Sequence, residues 1–213
     1  IAENLKNILS NIPTEVTLVA VSKTKPNAAI MEAYHAGQRV FGENKVQDLA
    51  AKAEALPKDI QWHMIGHLQS NKVKYIAPFV ALIHGIDSLK LLKEVNKRAA
   101  QNNRVIDCLL QIHIAEEETK FGLNEVEAIQ VLNAADELKN VCIKGLMGMA
   151  TNTADESVVS KEFAGLKQLF TKLQTTNSQL KIISMGMSSD YPLAIRQGST
   201  MVRVGSAIFG SRN

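Results

Sequence analysis

Short apolar runs alternate along this chain with longer stretches in which apolar side chains recur every three or four residues. The runs are VTLVAV (16–21), RVFG (39–42), QWHMIG (61–66), VALIHG (80–85), VIDCLLQIHI (105–114), VCIKGLM (141–147), KIISMGM (181–187) and MVRVGSAIFG (201–210). Their length and β-branched content predict about eight strands. Most are apolar at successive rather than alternate positions, the pattern of a parallel sheet covered on both faces.

The stretches between them read as helices. Val159, Phe163, Leu166, Phe170 and Leu173 share one face, with Asp155 placed to cap the helix start. Val46, Leu49, Ala50, Ala53 and Leu56 repeat the spacing after Asn44. Ser88 can cap a helix carrying Leu91, Leu92, Val95 and Ala99, and Asn124 with Glu127 three residues on predicts a capping box. A helix from about Ala2 to Leu9 leads the chain, within a segment 1–11. No Gly/Ser-rich linker and no repeat interrupts the pattern, so residues 1–213 are expected to form a single domain. About eight βα units fit a single (β/α)8 barrel of the TIM type. A doubly wound open sheet is the alternative that the pattern leaves.

Composition narrows the classes of function. The chain of 213 residues is 46% hydrophobic and 21% charged, enough for an ordinary core. A net charge of +3, from 24 basic and 21 acidic residues spread along the chain, is too mild to argue for nucleic acid or an anionic membrane surface. No run has the apolar length of a membrane helix, and no signal peptide is expected before the first element. Cys108 and Cys142 are flanked by apolar residues and read as buried thiols, not as a disulfide or zinc framework. A reducing, cytoplasmic setting is expected.

In a (β/α)8 barrel the chemistry gathers at the carboxyl ends of the strands. The first run ends at Lys23, in AVSKTKP. The second ends at Glu43, Asn44 and Lys45, and the third at His63, His67, Gln69 and Asn71. The seventh ends at Ser184, Gly186 and Ser188, and the eighth at Arg203, Gly205 and Ser206. The last two ends have the makings of a phosphate cup. Gly186 and Gly205 allow close backbone approach, Ser184, Ser188 and Ser206 add hydroxyl donors, and barrels commonly hold phosphate at these two loops. A partly desolvated amine at Lys23, beside Lys25, suits attack on an aldehyde. A lysine facing an anion site is the arrangement that pyridoxal 5'-phosphate (PLP) requires. His63 and His67 stand four apart, but Gly66 and a strand end lie between them, so one is expected at the rim and one packed beneath it, without a metal. Asn44 and Asn71 are candidates to line the pocket.

The segments AVSKTKP, FGENKVQD, WHMIGHLQSNK, IDS, KFG, GLM, SMGMSSDY and VRVGSAIFG together resemble the pyridoxal phosphate homeostasis protein family, from about Val16 to Arg212. The resemblance implies the barrel of the alanine racemase N-terminal domain and PLP as cofactor. It implies a Schiff base on Lys23, Arg203 facing the pyridine nitrogen, and a phosphate held by Gly205, Ser206 and the SMGMS segment around Ser184. Arginine only donates hydrogen bonds, so Arg203 would keep the ring nitrogen unprotonated and the cofactor a weaker electron sink. Racemases similar to this barrel carry a second, β-rich domain with a tyrosine base, whereas this chain ends at Asn213, just after the eighth run. A monomer open to water is therefore expected. Tyr34 and Tyr75 fall in helical stretches and read as packing residues, which leaves Tyr191 as the tyrosine to test as a base. The expected function is carriage or homeostasis of PLP without substantial turnover, with apo-enzymes as recipients. The alternative is a slow single-domain amino-acid racemase. A phosphosugar-type barrel enzyme is a third reading, with Glu43 as its one obvious strand-end base.

Overall fold

The computed structural model describes residues 1–117 and 121–210; Lys120 of KFG and Arg212 lie outside them. Eight parallel strands close into a barrel in sequence order. They are β1 (Thr17–Val21), β2 (Val40–Glu43), β3 (Gln61–Met64), β4 (Leu82–Ile86), β5 (Ile106–Ile112), β6 (Val141–Gly148), β7 (Ile182–Ser184) and β8 (Met201–Val204). The barrel closes where β1 pairs with β8, with Val19 opposite Arg203. The (β/α)8 expectation holds, and the open sheet is excluded.

Helices cover the outer face. They are α1 (Ala2–Ser10), α2 (Asn27–His35), α3 (Val46–Ala55), α4 (Val73–Ile76), α5 (Leu89–Gln101), α6 (Glu125–Ala135), α7 (Glu156–Gln174), α8 (Tyr191–Arg196) and α9 (Ser206–Phe209). The caps read from sequence form as expected. Ser88 accepts the Leu91 amide, Asp155 accepts the Ser157 amide, and Asn124 and Glu127 make both halves of a capping box. Each satisfies an amide that the helix start leaves without an intrahelical acceptor.

Two expectations change at the last strands. The run 201–210 is not one strand: β8 stops at Val204, Gly205 caps, and α9 begins at Ser206. The run 181–187 yields only three strand residues, because Gly186 turns the backbone into the left-handed region at φ 97°. A Cβ at Gly186 would also stand 2.6 Å from the Ala194 Cβ, so glycine there lets α8 pack close behind the loop. The short 3-10 turn Ser70–Lys72, α4, α8 and α9 carry too few residues for a periodic signal.

Strand alternation separates two buried layers. Val19, Leu82, Leu109, Met147 and Met201 pack together inside the barrel. Leu18, Ala20, Phe41, Trp62, Ile83, Cys108 and Leu146 belong to the larger layer between strands and helices. On β1 the alternation continues past the strand. Val19, Val21 and Lys23 take the inner side, while Leu18, Ala20 and Ser22 take the outer one.

Candidate active site

A cavity of about 860 Å³ opens at the carboxyl ends of the strands. Lys23, Asn44, Ser188, Arg203, Gly205 and Ser206 all line it, so six of the eight sequence candidates meet at one wall. With Lys25, the wall carries three cationic side chains, and no Asp or Glu stands among its described lining residues. Such a wall favours an anionic ligand.

Lys23 is held by its neighbours in the chain. The Lys25 amide donates to the Ser22 carbonyl at 3.0 Å and closes a tight turn around Lys23 and Thr24. Thr24 sits at φ 65°, a conformation that a β-branched side chain rarely adopts. Strain of this kind persists only where surrounding contacts over-determine it. Those contacts lie behind the turn. The Ser22 hydroxyl donates to Glu43 Oε1 at 2.6 Å, and Lys52 Nζ donates to the same oxygen at 2.7 Å and to the Ser22 carbonyl at 2.9 Å. Glu43 is fully buried and faces α3, not the cavity. Its alternation on β2, with Gly42 inward against Val19 and Ile65, makes this unavoidable. Glu43 is therefore not available as the strand-end base of a phosphosugar enzyme; it anchors the Lys23 turn.

Arg203 is the inner counterpart. Its Nη1 donates to Ser184 Oγ at 2.6 Å and its Nη2 to the Gly148 carbonyl at 3.1 Å. Burial pulls the guanidinium down to about 10, against the opposing charge of Asp190, so it stays protonated at neutral pH. The Ser184 hydroxyl lies 3.0 Å from His84 Nδ1, and His84 Nε2 lies 2.9 Å from His63 Nδ1. Burial pushes His63 down to about 3. It pushes His84 well below the usual histidine range, and the neighbouring His63 ring and the Arg203 charge add to the effect. Both rings are neutral inside the barrel.

The structure does not bring Ser184 and Gly186 to the cavity wall. Ser184 is fully buried beneath Arg203, and Gly186 is taken up by packing against α8. The cup side of the wall comes instead from Ser188, Ser189, Gly205, Ser206 and Ala207. The Gly205 amide donates to Ser188 Oγ at 3.1 Å. Ser206 and Ala207 open α9, where amides have no intrahelical acceptor.

At the rim, His67 stacks on Phe121, with ring centroids 4.0 Å apart, and its Nδ1 lies 3.4 Å from Asp87 Oδ2. His63 lies below, as the spacing suggested. Among the described residues, no group of three or more His, Cys, Asp or Glu is gathered as a metal site. Asn71 is exposed and borders a smaller cavity with His67 and Asp87, outside the main wall. Tyr191 packs against the core at the start of α8 and does not line the cavity. Tyr34 donates to Asp59 beneath the Arg39 guanidinium, and Tyr75 is half exposed near Lys72 and Lys74. The site residues that escaped the sequence reading include Lys52, His84, Gln111, Phe121, Ser189 and Ala207. Gln111 donates to the Phe121 carbonyl at 3.0 Å, tying the wall to the rim.

Residues 1–213 match the family described as alanine racemase, N-terminal domain. The pyridoxal phosphate homeostasis protein of Vibrio alginolyticus is 38% identical over 228 aligned positions, covering 100% of this chain and 98% of that protein. PipY of Synechococcus elongatus, solved without PLP, superposes with a TM-score of 0.94 at 39% identity, over 99% of this chain and 100% of that one. Its PLP-bound form gives 0.90 at 38%, over 98% and 99%. Alanine racemase from Bartonella henselae shares the fold, with a TM-score of 0.77 at 18% identity, over 99% of this chain and 58% of that one.

Proposed function

We propose that this chain, which belongs to the pyridoxal phosphate homeostasis protein family, binds PLP in the cationic cavity as a Schiff base on Lys23 and carries it without substantial turnover. The observation that carries this reading is the convergence of Lys23, Arg203 and the Ser188–Gly205–Ser206 wall on one cavity without a carboxylate among its described lining residues. PLP is an anion, and it supplies an aldehyde that condenses reversibly with amines. The residues present fit that group. Lys23 provides the amine at the mouth of β1, on a turn held by Glu43 and Lys52. The Ser188 hydroxyl, which accepts from the Gly205 amide and keeps its own proton to donate, and the hydroxyl and amide of Ser206 provide donors for a phosphate. Arg203 provides a protonated donor for a ring nitrogen.

The same residues support carriage over catalysis. A donor-only partner withholds the strong electron sink that carbanion chemistry needs, and no tyrosine stands among the described lining residues to act as a second base. We place the protein in the cytoplasm as a monomer that hands PLP to apo-enzymes. Among the described residues, no helix is long and apolar enough to cross a membrane. Two measurements test the proposal: the visible absorbance of the protein titrated with PLP, and solvent exchange of amino-acid α-hydrogens by the loaded form. Carriage requires a saturable absorbance change and no exchange above free PLP. Exchange that Lys23→Ala abolishes would establish a racemase instead.

A further inference from the structure

Four side chains from four strands form one unbroken hydrogen-bonded chain across the inside of the barrel. They are His63 of β3, His84 of β4, Ser184 of β7 and Arg203 of β8. His63 stands in register with Leu82, and Ser184 with Met147 and Met201, of the apolar cluster inside the barrel, while Arg203 reaches the cavity. His84 and Ser184 are fully buried, and His63 and Arg203 nearly so. A polar chain this dry must be satisfied throughout, and hydrogen-bond chemistry then fixes its direction.

The direction starts from the arginine. A guanidinium has no acceptor, so Ser184 Oγ must accept from Nη1. The hydroxyl proton of Ser184 then has one acceptor among the described residues, His84 Nδ1. His84 therefore carries its proton on Nε2, and it donates that proton to His63 Nδ1. His63 in turn carries its own proton on Nε2. Reversing the Ser184–His84 link would leave the proton of the fully buried Ser184 hydroxyl without an acceptor among the described residues.

We infer that the His63–His84–Ser184 chain is a one-way relay that fixes how Arg203 is held, so that its remaining N–H groups form a preset donor site at the cavity floor. Arg203 is the only link of the chain that lines the cavity. Its Nη2 is also tied down, to the Gly148 carbonyl, so the guanidinium cannot swing to meet whatever ligand arrives. A fixed donor rewards a ligand atom with a lone pair and penalises an apolar atom in the same place. The relay makes His84 a positioning residue for cofactor selection: the cavity should prefer an aromatic aldehyde phosphate with an unprotonated ring nitrogen over one with C–H at that place. This selectivity rests on the proposed binding of PLP; the direction of the relay does not.

The test has two arms. In the first, 15N NMR of the ligand-free wild type at neutral pH reads the tautomers. Both His63 and His84 are expected as the neutral Nε2–H form. A proton on His84 Nδ1 would overturn the relay. In the second, dissociation constants are measured for PLP and for its analogue with C–H in place of the ring nitrogen. The wild type should hold PLP at least about tenfold tighter, the worth of one hydrogen bond to a charged donor. His84→Phe should reduce that ratio to near one, and His84→Asn, which keeps an acceptor toward Ser184, should restore most of it. An unchanged ratio in His84→Phe would overturn the selectivity. If the wild type binds neither compound, the PLP reading fails, while the tautomers still decide the relay.

Discussion

Among the described residues, a cluster of buried polar side chains stands on each face of the barrel wall. The outer one joins Glu43, Lys52 and Ser22 between the strands and α3. The inner one joins His63, His84, Ser184 and Arg203. The outer cluster pairs its two charges with each other, and its effect is on the backbone that presents Lys23. The inner cluster holds a single cation with no buried carboxylate bonded to it, so the arginine keeps donors to spare for the cavity. The comparison teaches that burial alone does not mark a functional polar group. What separates the two is whether the charge is matched inside the fold or left to be matched by a ligand.

The comparison can be broken most sharply at Lys52. Lys52→Ala strands the Glu43 carboxylate, whose Oε2 already lacks a hydrogen-bond partner among the described residues. We expect it to cost about 3–5 kcal/mol of folding stability, read by urea unfolding. A loss below 1 kcal/mol would show that the pair is not structural. Arg203→Met should behave differently. It leaves no buried charge behind, only the Ser184 hydroxyl and the Gly148 carbonyl without their donor, so it should cost less folding stability than Lys52→Ala, about 1–3 kcal/mol, yet it should weaken PLP binding by about 1.5–3 kcal/mol in a titration.

Acid separates the clusters next. The folded His63 value, about 3, lies below the ordinary 6.5. The unfolded chain therefore takes up the proton first as pH falls. The contribution of His63 is complete above pH 6.5 and declines toward pH 3, at about 1.4 kcal/mol per pH unit. His63→Asn should lose that slope, and an identical acid profile in the variant would remove His63 from the account. The smallest effect is expected at Thr24. Thr24→Gly relieves about 1–2 kcal/mol of left-handed strain and costs about 0.5–1 kcal/mol in chain entropy, so thermal melting should show a net gain of no more than about 1.5 kcal/mol, and a loss would show that the turn is not strained.

Much of this was legible in the sequence. Eight apolar runs and their intervening periodic stretches were enough for the barrel, and Ser88, Asn124 and Asp155 marked helix starts through capping chemistry that is local in the chain. Lys23, Arg203, Gly205 and Ser206 were found because strand ends are where a barrel places chemistry. Facing was harder. Ser184 reads as a cup residue by position, but the register that seats it beneath Arg203 depends on pairing with β8. His84 sat unnoticed in VALIHG, although alternation from Leu82 would have turned it inward. Glu43 looked like a strand-end base until the same alternation turned it toward Lys52. The stacking of His67 on Phe121 joins residues 54 positions apart, and no local pattern announces it.

The central claim is that the amine at the mouth of β1 holds PLP. Borohydride reduction of the PLP-treated protein, followed by peptide mass mapping, tests it directly. The account predicts a yellow protein whose reduced pyridoxyl group sits on Lys23, and no such adduct in Lys23→Ala. A colourless protein, or a pyridoxyl group on other lysines with Lys23 unmodified, would contradict it.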